Sequence, residues 1–476
     1  MQDVKKKAEE LSSRCNLVLR KIETEKNSAY ILYVKQLSDV ELMTHNVIIP
    51  LTEEFRKESE EEYTAEKIAY SVVCSEDLKI IDSEETILDE VLNGMTALLM
   101  EGLSPIIINL KKVVSTSPSE ADINYSILGA KDSFTENMET NLSLLRYRIK
   151  DKNLKLDNIS IGRRTKTGVL VAYISDIADE KYVKLIKERL EKIDIDGINE
   201  AGKLLWFLND KPYSVFPQAG MEQRSDNACA AMLEGKIVVL CEGSSVALVL
   251  PKVFSEFVFS ADEENENIYF ALFSRLVRII SIIISLFITP FYMAVMIHHG
   301  EAINTAYAMV LASGRAGVVF DVVTEAFLME AFVEILREAL IRAPKSIGSS
   351  IGIVGGIVVG SAIVEAKIFS PVILIIVSLS LLSSFVMPDI SMSNAFRIIK
   401  IIFMICAWIF GIPGLCLGAF VMIMSVINDT SLKTPYLAPF APFNLKDSIK
   451  NIYTNKRLAL LRFSFLNTKA KIKRKK

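Results

Sequence analysis

LVRIISIIISLFITPFYMAVMI, residues 276–297, is the stretch that decides how this chain folds. A hydrocarbon core of ~30 Å needs about 20 apolar residues in a helix, and this run supplies them. The chain reads differently on its two sides. Residues 1–270 mix charges with apolar runs, as soluble domains do; residues 276–428 are mostly apolar; the last thirty residues are basic. The 476 residues, 51% of them apolar, carry a formal net charge of −3, which averages an acidic front and a basic end and so names no partner. The N-terminus, MQDVKKKAEELSSRCN, lacks the apolar core of a signal peptide, and the soluble part is expected to stay in the cytosol.

Further spans are expected at 347–366, at 370–387 and within 396–427. The last run is too long for one untilted crossing at ~1.5 Å per residue. Gly411, Pro413 and Gly414 interrupt it, giving two short spans or one long kinked helix. Arg275 and Arg278 at the first span and the basic segment 446–476 place both flanks in the cytoplasm, so the number of crossings is even. If residues 320–343 also cross, Arg337, Arg342, Lys345, Arg397 and Lys400 all fall inside, which favours six crossings over four; Lys367 alone points the other way. The fold class expected is an α/β cytoplasmic region of two related lobes followed by an all-α transmembrane domain of about 4–6 helices. Its parts are a first lobe (1–128), a connecting helix and second lobe (129–271), a helical membrane domain (272–430) and a basic cytoplasmic tail (431–476).

One segment of the apolar half is charged. FDVVTEAFLMEAFVEILREALIRAP, residues 320–344, carries Asp321, Glu325, Glu330, Glu334 and Glu338. At 100° per residue Glu330, Glu334, Arg337 and Glu338 share about a third of a helix circumference, with Leu328, Met329, Phe332, Ile335, Leu336 and Leu340 covering much of the other side. Asp321 and Glu325 sit on the first turns, where acids suit the helix dipole. Pairs within the helix, Glu338 with Arg342 and Glu334 with Arg337, leave three of five acids without a counter-charge. A lone carboxylate in hydrocarbon costs about 2.5 kcal/mol or more. Two readings stand. In a ring of subunits the stripe Glu330, Glu334, Glu338, with Glu325 at one mouth, would line a water-filled cation path. Otherwise the helix lies at the interface, or its acids are salt-bridged inside a packed bundle. Gly348, Gly352, Gly356 and Gly360 recur every four residues, the spacing that lets helices approach closely in lipid. The same run contains G-S-S-I-G around Ser350, but a nucleophile elbow needs a strand–turn–helix setting and a histidine base, so no hydrolase is expected.

The soluble half repeats itself. AYILYVKQLSDVELM (29–43) matches VLVAYISDIADEKYV (169–183), and LNGMTALLMEGLSPIII (92–108) matches LEGKIVVLCEGSSVALV (233–249), at offsets of 140 and 141 residues. The apolar runs around Glu101-Gly102 and Glu242-Gly243 read as hairpins, KYVKLIKERLEKI as a helix, and 129–150 as a connecting helix starting near Ser133 and capped by Ser133 or Thr135. The basic loop GRRTKTG (162–168) lacks the order of a phosphate-binding Walker loop; an anion or acidic partner is one reading, a solvated turn or subunit contact the other. No dinucleotide fingerprint, catalytic carboxylate pair or Cys/His arrangement appears in residues 1–270. The six cysteines form no CxxC pair, and only Glu301 lies near His298 and His299, so neither disulfides nor a metal site is expected.

Ordered motifs then carry a resemblance. F-T-E-N (134–137) is followed by Asn141, Leu145, Arg146, Arg148 and Ile149, then I-G-R-R-T-K-T (161–167), F-P-Q (216–218), L-E-G (233–235) and R-L-V-R (275–278). E-A-F-L-M-E (325–330), E-I-L-R-E-A (334–339), I-G-I-V-G-G (351–356), V-E-A (364–366) and Y-L-A-P-F-A-P-F (436–443) complete the series. In these residues, from about 30 to 445, the chain resembles the A subunit of the GerA-type spore germination receptors. It departs from the family at Gly129-Ala130, at Gln223–Asp226 and at Arg315–Asp321, where two prolines are missing, and so resembles a divergent member or paralogue. The resemblance implies residence in the inner membrane of an endospore and partnership with a transporter-like, nutrient-binding B subunit and a lipoprotein C subunit. It also implies homo-oligomers that conduct ions when nutrient is sensed. No cofactor, metal, nucleic acid partner or enzymatic activity is expected.

Overall fold

Residues 29–33 and 96–100 are apolar at nearly every position, which suits strands covered on both faces. In the computed structural model they are the middle of a sheet. The structure describes residues 17–23, 28–57, 63–75, 77–81, 84–111, 132–259, 263, 266–342, 360–452 and 461–471. The chain forms two compact units, one of Met1–Pro212, Ala219–Pro251 and Lys456–Lys476, the other of Tyr213–Gln218 and Lys252–Asn455.

The first unit holds two five-stranded antiparallel sheets. One contains β1 (Val18–Glu23), β2 (Ser28–Tyr33), β3 (Leu78–Ile80), β4 (Thr96–Met100) and β5 (Ile106–Ile108), ordered β1-β2-β4-β5-β3. The other contains β6 (Leu154–Ile161), β7 (Thr167–Ile174), β8 (Gly220–Glu222), β9 (Ile237–Cys241) and β10 (Ala247–Leu250), ordered β6-β7-β9-β10-β8. The order is the same. Alternation along the strands splits the first lobe's core in two: Ala29, Ile31, Leu98, Ile106 and Ile108 pack on one face, and Tyr30, Leu32, Ala97, Leu99 and Ile107 on the other.

Matching residues also do matching backbone work. Gly94 and Gly235 have φ of 90° and 103°, and the hairpin residues Gly102 and Gly243 have 74° and 79°, a region open to glycine at little cost. Asp39 caps α1 (Val40–Met43) and Asp179 caps α4 (Glu180–Glu191), each accepting hydrogen bonds from the first-turn amides. Later in each lobe lie α2 (Glu84–Leu92) and α5 (Ser225–Glu234). The connecting helix, α3 (Met138–Arg148), starts five residues after Ser133, the start that the sequence suggests. Its cap is Asn137, whose Oδ1 accepts from the Glu139 and Thr140 amides at 2.9 and 3.2 Å. Ser133 is in a β-bridge with Arg224, and Thr135 is held by Asn141, which accepts from its amide at 2.8 Å and donates to its carbonyl at 2.6 Å. The GRRTKTG arginines face their own chain: Arg163 makes two 2.5 Å bonds to Asp194, and Arg164 lies 3.5 Å from Asp196. Five cysteines are free among the described residues, and burial pushes the Cys229 and Cys241 thiols up to about 12 and about 11, away from reactivity at neutral pH.

The second unit is helical: α6 (Ile268–His298), α7 (Thr305–Gly314), α8 (Val322–Arg342), α9 (Pro371–Ser384), α10 (Ile390–Asn428) and α11 (Leu445–Ile452). The motifs F-P-Q and Y-L-A-P meet here, with the Tyr436 hydroxyl donating to the Pro217 carbonyl at 2.6 Å and its ring packed against Phe216, Phe254 and Phe257.

The expected count of 4–6 membrane helices is corrected. Among the described residues two apolar stretches, α6 and α10, are long enough to cross, α10 as a pair of helices turning back at Gly411. α9 is apolar but has 14 residues, about 21 Å of helix against a ~30 Å core. α8 has the length but carries five acidic or basic residues besides its last arginine. Gly348, Gly352, Gly356 and Ser350 lie outside the described residues; Gly360 opens a short helix, Gly360–Glu365.

The long run is the first of the two alternatives, two short helices that turn back on each other at Gly411: Lys252 meets both ends, its amide donating to Ser431 Oγ at 3.1 Å and its Nζ to Asp389 at 3.3 Å, which an unbroken helix would hold ~60 Å apart. Gly411 has φ 62° and ψ −142°, outside helical space, and Pro413 follows it. A break there separates the Trp408 carbonyl from the Ile412 amide, partners in an unbroken helix. Two consecutive histidines at the end of α6 take them over: His298 Nε2 lies 2.8 Å from the Trp408 carbonyl, and the Ile412 amide donates to His299 Nε2 at 3.4 Å.

Candidate functional site: a charge seam in the helical unit

Helix α8 starts with Asp321, whose carboxylate accepts from the Val323 amide at 3.1 Å and the Thr324 hydroxyl at 2.5 Å. From there the helix turns its charged stripe inward. Glu325, Ala326, Met329, Glu330 and Val333 are buried, while Ile335 and Ile341 are 69% and 70% exposed. A soluble helix would do the reverse; apolar side chains facing out suit a lipid environment.

Each inward acid meets a cation. Glu325, fully buried, pairs with Arg315 and accepts from the Ser370 amide; Arg315 also donates to the Phe320 carbonyl at 3.2 Å. Glu330 pairs with Lys400 of α10 and accepts from the Thr289 hydroxyl of α6 at 3.1 Å. Lys400 donates on to Ser380 of α9 at 2.7 Å, and Ser380 to the Ser285 carbonyl at 2.9 Å. Glu334 receives both Nε and Nη2 of Arg397. Arg337 donates to Ser384 at 2.9 Å and lies over the Phe385 ring at 5.3 Å. Glu338 stays at the surface, paired one turn on with Arg342 at 2.6 Å.

Glu330, Glu334, Arg337, Arg397 and Lys400, with the apolar Val333 and Leu381, line a cavity of about 10 Å³, about the room one water molecule takes. Of the two pairs expected within the helix, Glu338–Arg342 forms, but Glu334 pairs with Arg397 and not with Arg337; of the three acids left over, Glu325 and Glu330 gain Arg315 and Lys400 from outside the helix, and Asp321 serves as its cap. From the sequence, Arg397 and Lys400 are expected to mark the cytoplasmic side. As counter-ions inside the bundle they no longer bear on the choice of six crossings over four. Among the described residues no group of three or more His, Cys, Asp or Glu is placed to hold a metal.

A duplicated antiparallel α/β unit joined to an apolar helical unit with an ionic interior defines the class: a two-part protein with membrane-associated helices. The family description "Bacillus/Clostridium GerA spore germination protein" matches residues 4–464. The chain is 31% identical to spore germination protein KA of Bacillus subtilis (strain 168), over 92% of this chain and 82% of that one. It is 31% identical to spore germination protein GerQA of Bacillus cereus, over 91% and 87%. It is 33% identical to the uncharacterized membrane protein YfkQ of Bacillus subtilis, over 76% and 71%. The crystal structure of the N-terminal domain of the A subunit of the Bacillus megaterium spore germinant receptor GerK3 aligns with 53% of this chain and 92% of its own, at a TM-score of 0.40 and 26% identity. The chain belongs to the GerA family of spore germination proteins.

Proposed function

We propose that this chain is a membrane subunit of a nutrient-responsive spore germination receptor. In this reading it sits in the inner membrane of the spore, with the α/β unit and the C-terminal tail in the cytoplasm. It works beside a transporter-like B subunit and a lipoprotein C subunit, and copies of it assemble into a nutrient-gated cation channel. What supports conduction is the charge seam: ionisable groups inside apolar helices are costly and mark ion routes. Glu325, Glu330, Glu334, Arg337 and Glu338 are the lining residues of this reading, Glu334 and Glu338 at its open edge. The ion pairs belong to the closed state, and opening requires the acids to exchange arginine and lysine for water and a passing cation.

A second reading is a non-conducting scaffold that relays the nutrient signal. It is favoured by one observation, that Glu325, Glu330, Glu334 and Glu338 each already have a cation within one chain. Purified chain in vesicles separates the two. The channel reading expects cation flux above that of empty vesicles, falling at least tenfold in Glu334→Gln/Glu338→Gln while assembly survives. Unchanged flux in that variant removes the lining assignment, and no flux from the unaltered chain leaves the scaffold.

A further inference from the structure

The two lobes close the same groove with different pieces of chain. In the first lobe a Cβ on Gly94 would meet Leu37 Cβ at 3.3 Å and Lys111 Cγ at 3.4 Å. Lys111 comes straight from β5, bridges Ser38, and the Asp39 amide donates to the Leu110 carbonyl at 2.8 Å. In the second lobe the equivalent Gly235 would meet Ile177, the counterpart of Leu37, at 3.4 Å. Where Lys111 should be stands Thr468, from the far end of the sequence. The second lobe has no exit segment to use, because from Lys252 onward the chain belongs to the other unit.

Residues 461–471 fit the groove as a fastened strap. The Lys469 amide donates to the Ile177 carbonyl at 3.0 Å, and Lys469 Nζ reaches the Ser175 carbonyl at 3.0 Å and Glu180 at 2.6 Å. That ammonium holds Glu180 below the usual carboxylate range. Arg462 donates to the Leu233 carbonyl at 2.8 Å, and its own amide to the Lys471 carbonyl at 3.0 Å, closing the strap on itself. Leu466 is fully buried.

We propose that the groove between Ile177, Glu180 and Gly235 is a peptide-binding site whose ligand is this chain's own C-terminal segment 461–471, which replaces the exit segment of the first lobe and fastens the end of the helical unit's sequence to the second lobe. The site belongs to the α/β unit and stands whether or not the assembly conducts.

Hydrogen exchange on the full chain in detergent tests this. Peptides covering 461–471 are expected to exchange at least tenfold slower than an unstructured chain. Leu466→Asp, which sets a charge where the strap is fully buried, removes that protection and leaves peptides of β2 and β4 unchanged. Unprotected exchange of 461–471 in the unaltered chain, or unchanged protection in Leu466→Asp, overturns the proposal.

Discussion

The two units bury opposite things. In the α/β unit the strands turn Ile31, Leu98, Val239 and Leu240 inward, and charges such as Arg163 and Asp194 pair at the surface. In the helical unit Glu325, Glu330 and Lys400 are inside, while Ile335, Ile375 and Phe410 are more than half exposed. The difference follows from the solvent. Burial of apolar area drives the first arrangement at ~25 cal/mol per Å². Lipid removes that drive, so packing and buried polar pairs hold the helices together instead. An ion pair exposed to water contributes ~0–1 kcal/mol, whereas stranding one partner of a buried pair costs about 3–5 kcal/mol.

That contrast can be broken or sharpened by substitution. Lys400→Met strands Glu330, and unfolding in detergent should show a loss of about 3–5 kcal/mol; a loss below ~1 kcal/mol would place Glu330 in water. Gly411→Ala comes next. It adds a Cβ 3.0 Å from His298 Cβ and His299 Nε2 at a backbone angle side chains avoid, so thermal unfolding should show about 1–3 kcal/mol lost. The smallest effect belongs to the duplicated caps: Asp39→Ala and Asp179→Ala should each cost ~0.5–2 kcal/mol, equally within error, in denaturant titrations. Unequal costs would mean that the two lobes use their shared cap differently.

The duplication was legible because paired aspartates and glycines recur at a fixed offset and have local jobs, capping and turning. The cap of α3 was not, because Ser133, Thr135 and Asn137 are all competent caps and the bridge to Arg224 and the clamp from Asn141 decide among them. The acid stripe was legible as a helix face, but its partners lie on other elements, Arg397 being 63 residues from Glu334. Helical periodicity says which residues share a face and nothing about what meets it. The break at Gly411 was visible in Gly-Ile-Pro-Gly, while the histidines that bridge it are over 100 residues away.

One chain neutralises its own buried acids. A double-mutant cycle on Glu330 and Lys400, read as unfolding free energy in detergent, tests it most directly. Lys400→Met and Glu330→Met should each cost several kcal/mol and Glu330→Met/Lys400→Met far less than their sum, a coupling of about 2 kcal/mol or more. Additive costs would contradict the claim, and would mean that these charges face water or a neighbouring subunit.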